Sequence, residues 1–329
     1  ADDERVALLV MLAATHLRLG DRVAAVAAAR DAVSLAGNLG DDSLLADALV
    51  RLGVALDGDD SGQAESSYRR ALALYEHLQD VRGQARCWDR IGVVAAQRGE
   101  WAEARTALGR AIDLGRTAGT PDEWGLAALD LGVVARRTGD HEQARQLFGD
   151  ALALFAAVQN SERQLLALYN LAHLDRERGE LAAAADLYGV AASLAERVGQ
   201  HDVEVGAVSG AGLCRLRLGD RDRAQQSLAK ADALLDGQDG WFAGRELQDV
   251  LSVELIATTG NGAAVAARLT EAWHRAQAAD AWAAHWLLAE LTPTVTRLAP
   301  ATLSRLRNEN AALTNDSSGA AIDGTNPAS

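Results

Sequence analysis

Between Gln84 and Gln200 the small and apolar positions of the chain recur every forty residues. Ala104, Ala144 and Ala184 share one register, Ala111, Ala151 and Ala191 a second, and Leu114, Leu154 and Leu194 a third. Within one period Trp88, Ile91, Gly92 and Ala95 have the spacing of one helix face. Ala104, Leu108, Ala111 and Leu114 form the buried stripe of a second helix. A glycine followed by an acid separates the two, as in Gly99-Glu100, Gly139-Asp140 and Gly179-Glu180. Glycine accepts the left-handed conformation that ends a helix, and a carboxylate suits the free N–H groups that open the next. Each period therefore predicts a helix-turn-helix hairpin, and the repetition predicts a stack of hairpins.

The same pattern extends in both directions. Ala25, Ala32 and Leu35 precede Ala64, Ala71 and Leu74 by 39 residues, and the irregular stretch Asp57 to Gly62 stands where the second turn belongs. Gly219-Asp220, Ala224, Ala231 and Leu234 make a sixth unit. A seventh is degenerate: Asp249 and Ser252 replace apolar positions and Asp236 to Gly240 form a loop, as suits a last unit that turns a polar face to water. Pro293 and Pro300 punctuate a terminal helical region. The expected fold is all-α, a right-handed α-solenoid of about seven stacked repeats over residues 1–307, regular over 6–236, with a degenerate repeat and cap over 241–307. Residues 308–329, rich in Asn, Ser, Gly, Asp and Thr, read as a disordered tail.

Quoted residues give the repeat a family likeness. Trp88, Ile91, Gly92, Ala104, Leu108 and Ala111 resemble the tetratricopeptide repeat signature, and Leu131-Gly132 with Ala144 and Phe148, then Leu171-Ala172 with Ala184 and Tyr188, repeat it. Two features depart from it. The period exceeds the usual length, and Arg116, Ala156 and Glu196 stand where the closing proline is expected. The longer repeat resembles the branch found in bacterial signal-transduction ATPases and transcription regulators. The resemblance implies a scaffold whose first helices line a concave, protein- or peptide-binding face.

Composition narrows the rest. A formal charge of -14 argues against general affinity for nucleic acid or anionic membrane. Cys87 and Cys214 lie three repeats apart, too far for a disulfide, and fit free thiols in a reducing cytoplasm. Ala1-Asp2-Asp3-Glu4 is no signal peptide, and a start without Met fits a segment of a longer protein. Catalytic and cofactor motifs fail on inspection. There is no phosphate-loop lysine, Arg145 stands where a zinc site opened by His141-Glu142 needs its second histidine, and no strand precedes Gly206, Gly210 and Gly212. His274 and His285 among Trp273, Trp282 and Trp286 read as an aromatic lid. No enzyme, cofactor or metal site is expected.

On the implied concave face, residues opposite the buried stripe are the candidate partner contacts. They are Arg86, Asp89, Arg90 and Val93, then Leu126, Leu129, Asp130 and Val133, then Leu166, Tyr169, Asn170 and His173. A partly apolar face suits a helix or extended peptide, and a second copy in a homodimer would also fit it. Only Asn170 matches a Lys/Asn clamp for an acidic C-terminus, which disfavours that ligand. Gly206 and Gly210 in the sixth unit either admit a close-lying ligand or relieve crowding between helices. Arg18, Arg98, Arg136, Arg137, Arg176, Arg178, Arg215 and Arg217 crowd the ends of the first helices, either as a basic ridge or as cations stabilised by the helix dipole. The expected function is a non-catalytic sensor or interaction domain of a bacterial signalling or transcription regulator in the cytoplasm. The alternative is a free-standing adaptor that assembles enzyme subunits or a multiprotein complex.

Overall fold

A computed structural model describes residues 2–57, 60–235, 242, 244–279 and 281–317. Among the described residues every regular element is an α-helix. In order they are α1 (Asp2–Arg18), α2 (Arg22–Leu39), α3 (Asp42–Leu56), α4 (Ser61–His77), α5 (Val81–Gln97), α6 (Trp101–Thr117), α7 (Pro121–Arg137) and α8 (His141–Ala157). There follow α9 (Ser161–Glu177), α10 (Leu181–Val198), α11 (His201–Arg217), α12 (Arg221–Leu235), α13 (Arg245–Ala257), α14 (Gly262–Ala279), α15 (Ala281–Leu298) and α16 (Pro300–Ser317). The helices pair as hairpins of an all-α solenoid, and they fall into two compact units, Ala1–Ala167 and Leu168–Ser329.

The turns obey the forty-residue period. Gly20, Gly99, Gly139, Gly179, Gly219 and Gly260 all have positive φ. The turn between hairpins also repeats, at Gly40, Gln79, Gly119, Gln159 and Gly199, and glutamine holds the left-handed conformation at two of these places. Aspartates cap as expected: Asp21, Asp140 and Asp220 each accept a backbone N–H in the first turn of the next helix. Glu100 and Glu180 make no such bond, because the extra methylene carries the carboxylate past the N–H groups.

In unit 1 the hairpins are α1/α2, α3/α4, α5/α6 and α7/α8, and first helices also touch one another, α1 on α3 and α5 on α7. The predicted stripe is the core: Ala104, Leu108, Ala111, Ala144, Phe148 and Ala151 are buried. The signature glycines have a steric reason. A Cβ on Gly53, Gly92 or Gly132 would lie 2.4 Å from the Tyr68 ring, 2.6 Å from Leu108 or 2.5 Å from the Phe148 ring. In these three hairpins a large second-helix side chain fills the hole left on the first helix.

In unit 2, α11 contacts α10, α12 and α13, and the pattern continues through α13, α14, α15 and α16. The sixteen helices of the described residues match the expected seven or so hairpins followed by a terminal helical cap, α15 and α16. The polar residues of the degenerate repeat do not face water. Asp249 is buried and accepts hydrogen bonds from Arg268 and Arg275, and Ser252 accepts one from Arg268. Pro293 lies inside α15, leaving one carbonyl without its helical donor, and Pro300 opens α16. The helix also takes in Asn308 to Ser317, which composition assigned to a tail, because Leu303, Leu306 and Asn310 form a buried stripe. The rest of that tail, the Asp236 to Gly240 loop, Gly58-Asp59 and the Trp282 side chain lie outside the described residues.

Candidate functional site

The forty-residue period carries equivalent residues from one first helix to the next. In unit 1 it brings α3, α5, α7 and the start of α9 to a cleft of about 350 Å³. Four predicted contacts line it: Arg86, Asp89 and Arg90 from α5, and Leu126 from α7. Val50, Val54 and Ala85 supply the remaining apolar wall.

Five arginines converge on the cleft, Arg51, Arg82, Arg86, Arg90 and Arg163. Three are engaged. Arg90 donates twice to the Asp89 carboxylate, at 3.0 and 2.7 Å. Arg163 donates to the Asp122 carbonyl at 2.7 Å and pairs with its carboxylate at 2.6 Å, and Arg82 pairs with Glu123. Arg86 reaches Asp47 only at 3.6 Å, while Asp47 accepts the Tyr75 hydroxyl at 2.6 Å. Arg51 makes no hydrogen bond or ion pair among the described residues, and its buried Nε has no acceptor. Burial, and after it the charge of Arg86, depresses the Arg51 pKa.

Beneath Arg90 lies a pair of carboxyl groups. Asp89 is buried, its Oδ1 has no hydrogen-bond partner, and the Asp130 carboxyl lies near enough to feel its charge. Burial, followed by the Asp89 charge, raises the Asp130 pKa, and Arg90 opposes the rise. A protonated Asp130 then donates to Asp89, so the pair carries one negative charge beside the Arg90 guanidinium.

The other predicted residues are placed differently. Val93 and Val133 are half-buried and outside the cleft lining, Leu166 is exposed, and Leu129 is buried in unit 1 and cannot meet a partner. Tyr169, Asn170 and His173 belong to unit 2. There Tyr169 and His173 pack edge-on at 4.5 Å and both stack on the buried Tyr188. Gly206 and Gly210 are buried, and the chain's own tyrosines use the room they leave. A Cβ on Gly206 would meet the Tyr169 hydroxyl, and one on Gly210 would lie 2.7 Å from the Tyr188 ring. They relieve crowding between helices and present no open surface.

Four arginines of the supposed ridge are held in internal pairs. Arg98 binds Glu65, Arg178 binds Glu180, and Arg176 and Arg217 both bind Glu290. Sequence reasoning missed Arg51, Arg82, Asp122, Glu123 and Arg163. Arg51 could have been found, since it stands 39 residues before Arg90, the same slip that relates Ala25 to Ala64. Among the described residues no group of three or more His, Cys, Asp or Glu could hold a metal ion, and no helix is long and apolar enough to cross a membrane.

Residues 83–157 and 125–197 match the tetratricopeptide repeat family model, and residues 5–55 match that of anaphase-promoting complex subunit 5. No curated protein matches the sequence. Among similar solved structures is a Signal Transduction ATPase with Numerous Domains protein with a tetratricopeptide repeat sensor, from Pyrococcus horikoshii. It is 14% identical with a TM-score of 0.63, over 80% of this chain and 40% of that one. The Rap conjugation gene regulator of plasmid pLS20, in complex with a Phr peptide, is 16% identical with a TM-score of 0.61, over 87% and 75%. A Rap protein complexed with competence and sporulation factor is 13% identical with a TM-score of 0.59, over 94% and 99%. At these identities the likeness is one of fold. With the family match running from residue 83 to residue 197 and paired helices on both sides of it among the described residues, the chain carries tetratricopeptide repeats.

Proposed function

We propose that the chain is a non-catalytic scaffold that binds a protein or peptide on its first-helix face, as the sensor or interaction part of a bacterial signalling or transcription regulator. The observation that carries this reading is the unit 1 cleft, built by successive first helices from Arg86, Asp89, Arg90 and Leu126. A polar cleft with an apolar wall suits an extended segment whose side chains alternate in character. Peptide complexes of the Rap proteins with the same fold lend support. Tyr169, Asn170 and His173 extend the reading to unit 2, as a second contact area.

Panning a displayed random-peptide library against the whole chain tests it. Peptides should be enriched that bind the native protein and are lost on Leu126→Asp, which puts a charge on the apolar wall. No enrichment, or equal binding to the Leu126→Asp variant, would sink the reading. Sequencing the coding region on both sides tests the regulator part. A phosphate-loop ATPase or a DNA-binding helix-turn-helix in the same reading frame supports it, and a start codon just before Ala1 with a stop after Ser329 removes it.

A further inference from the structure

The chain is acidic overall, yet its unit 1 cleft gathers five arginines against three lining acids, Asp89, Asp122 and Glu123. Each of those acids is already matched with an arginine, Arg90, Arg163 and Arg82 respectively. Outside those pairs stand Arg51, which has no ion pair among the described residues, and Arg86, held only by Asp47 at 3.6 Å; they lie on adjacent first helices, and the Arg86 charge disfavours that of Arg51. Arg51 stands between buried walls, Val50 on its own helix and Ala85 on α5. A half-buried guanidinium whose Nε has no acceptor is destabilising. An incoming anion would supply the acceptor and relieve the Arg51–Arg86 repulsion together.

We infer that this cleft takes an acidic peptide segment, with a side-chain carboxylate bridging Arg51 and Arg86 and a neighbouring aliphatic residue against Val54 and Leu126. The inference rests on the peptide-binding reading above and names its ligand class. Arginine presents a planar fork of donors that matches a carboxylate in two-point contact. The apolar wall beside it favours a peptide over a bare anion, and the chain's formal charge of -14 disfavours an extended polyanion.

Fluorescence anisotropy with the full chain tests this. The probe is a short labelled peptide alternating glutamate and leucine, acetylated and amidated so that it carries no terminal carboxylate. Its free-acid form and its lysine-leucine counterpart are the comparisons. The amidated acidic probe should bind, the lysine probe should not, and added salt should weaken binding. Arg51→Gln and Arg86→Gln should each weaken it about tenfold or more, while Arg105→Gln on exposed α6 should leave it unchanged. Arg51→Gln should keep the native circular dichroism and a melting temperature at or above the native one, since Arg51 holds no internal bond. Should it unfold the chain, Arg86→Gln carries the test alone.

Equal affinity of Arg86→Gln and the native chain would overturn the inference. So would binding of only the free-acid peptide, which would make a chain terminus the source of the carboxylate, and so would equal binding of the lysine probe. If the acidic probe fails while library peptides bind and are lost on Leu126→Asp, the ligand class is wrong and the groove reading stands. If both fail, the groove reading falls as well.

Discussion

Two glycine-to-alanine substitutions should move stability in opposite directions, and the packing alone decides the sign. Gly132 is in α7 and Gly149 in α8, both helix interiors where alanine is favoured by about 1 kcal/mol. Around Gly149 nothing lies within 4 Å of an added Cβ, so Gly149→Ala should stabilise by roughly 0.5–1 kcal/mol. At Gly132 the added Cβ lies 2.5 and 2.7 Å from Phe148 ring atoms, against ordinary contact at 3.4–4 Å. The ring must retreat by about 1 Å, and Phe148 is fully buried with no free space to enter. Overpacking of this kind costs about 1–3 kcal/mol, and set against the propensity gain it leaves Gly132→Ala destabilised by up to about 2 kcal/mol. Urea unfolding followed by far-ultraviolet circular dichroism reads both midpoints. A Gly132→Ala midpoint at or above the native one would refute the reasoning. So would a fall for Gly149→Ala.

Other expectations concern charge and thiols. Asp130 has a pKa raised to about 8, first by burial and then by Asp89, so its contribution to stability is full below the unfolded value of 3.8 and is lost as the pH rises through about 8. Thermal melts across that window should show the decline, and Asp130→Asn should flatten it; an unchanged profile would mean the pair does not share a proton. Burial alone would raise the Glu290 carboxyl, but Arg176 and Arg217 hold it below the usual carboxylate range. Glu290→Ala leaves the 3% exposed Arg176 side chain without this partner and should destabilise unit 2 by roughly 3 kcal/mol, read from the tryptophan fluorescence of urea unfolding. A loss near zero would mean that Arg176 finds another partner at no cost. Burial pushes the Cys87 thiol up to about 12 and the Cys214 thiol up to about 11, so neither should react with Ellman's reagent at neutral pH until denaturant is added.

The sequence by itself determined the local architecture. A forty-residue period, a glycine and an acid at each turn, and an Ala-Leu stripe specify helix, stop, cap and buried face, because these depend on neighbours a few residues apart. The alternation of Gly92 with Leu108 and Gly132 with Phe148 was visible as a motif, and only the packing supplied its reason. Tertiary structure alone decided which polar groups meet. Asp249 looked like a solvent-facing decay of the repeat and proved to be a buried partner of two arginines. For Gly206 and Gly210 the sequence left a ligand and the relief of crowding both open, and the rings of Tyr169 and Tyr188 occupy the room. Of the end-of-helix arginines, read either as a ridge or as dipole-stabilised cations, Arg98, Arg176, Arg178 and Arg217 are held by carboxylates of the chain itself, whereas the Nε of Arg51, unremarked in the sequence, has no acceptor. A charged side chain's role depends on which carboxylates lie within a few ångströms. In a repeat stack those can come from helices some 33 to 114 residues away, as for Arg98 beside Glu65 and Arg176 beside Glu290, beyond the reach of any local pattern.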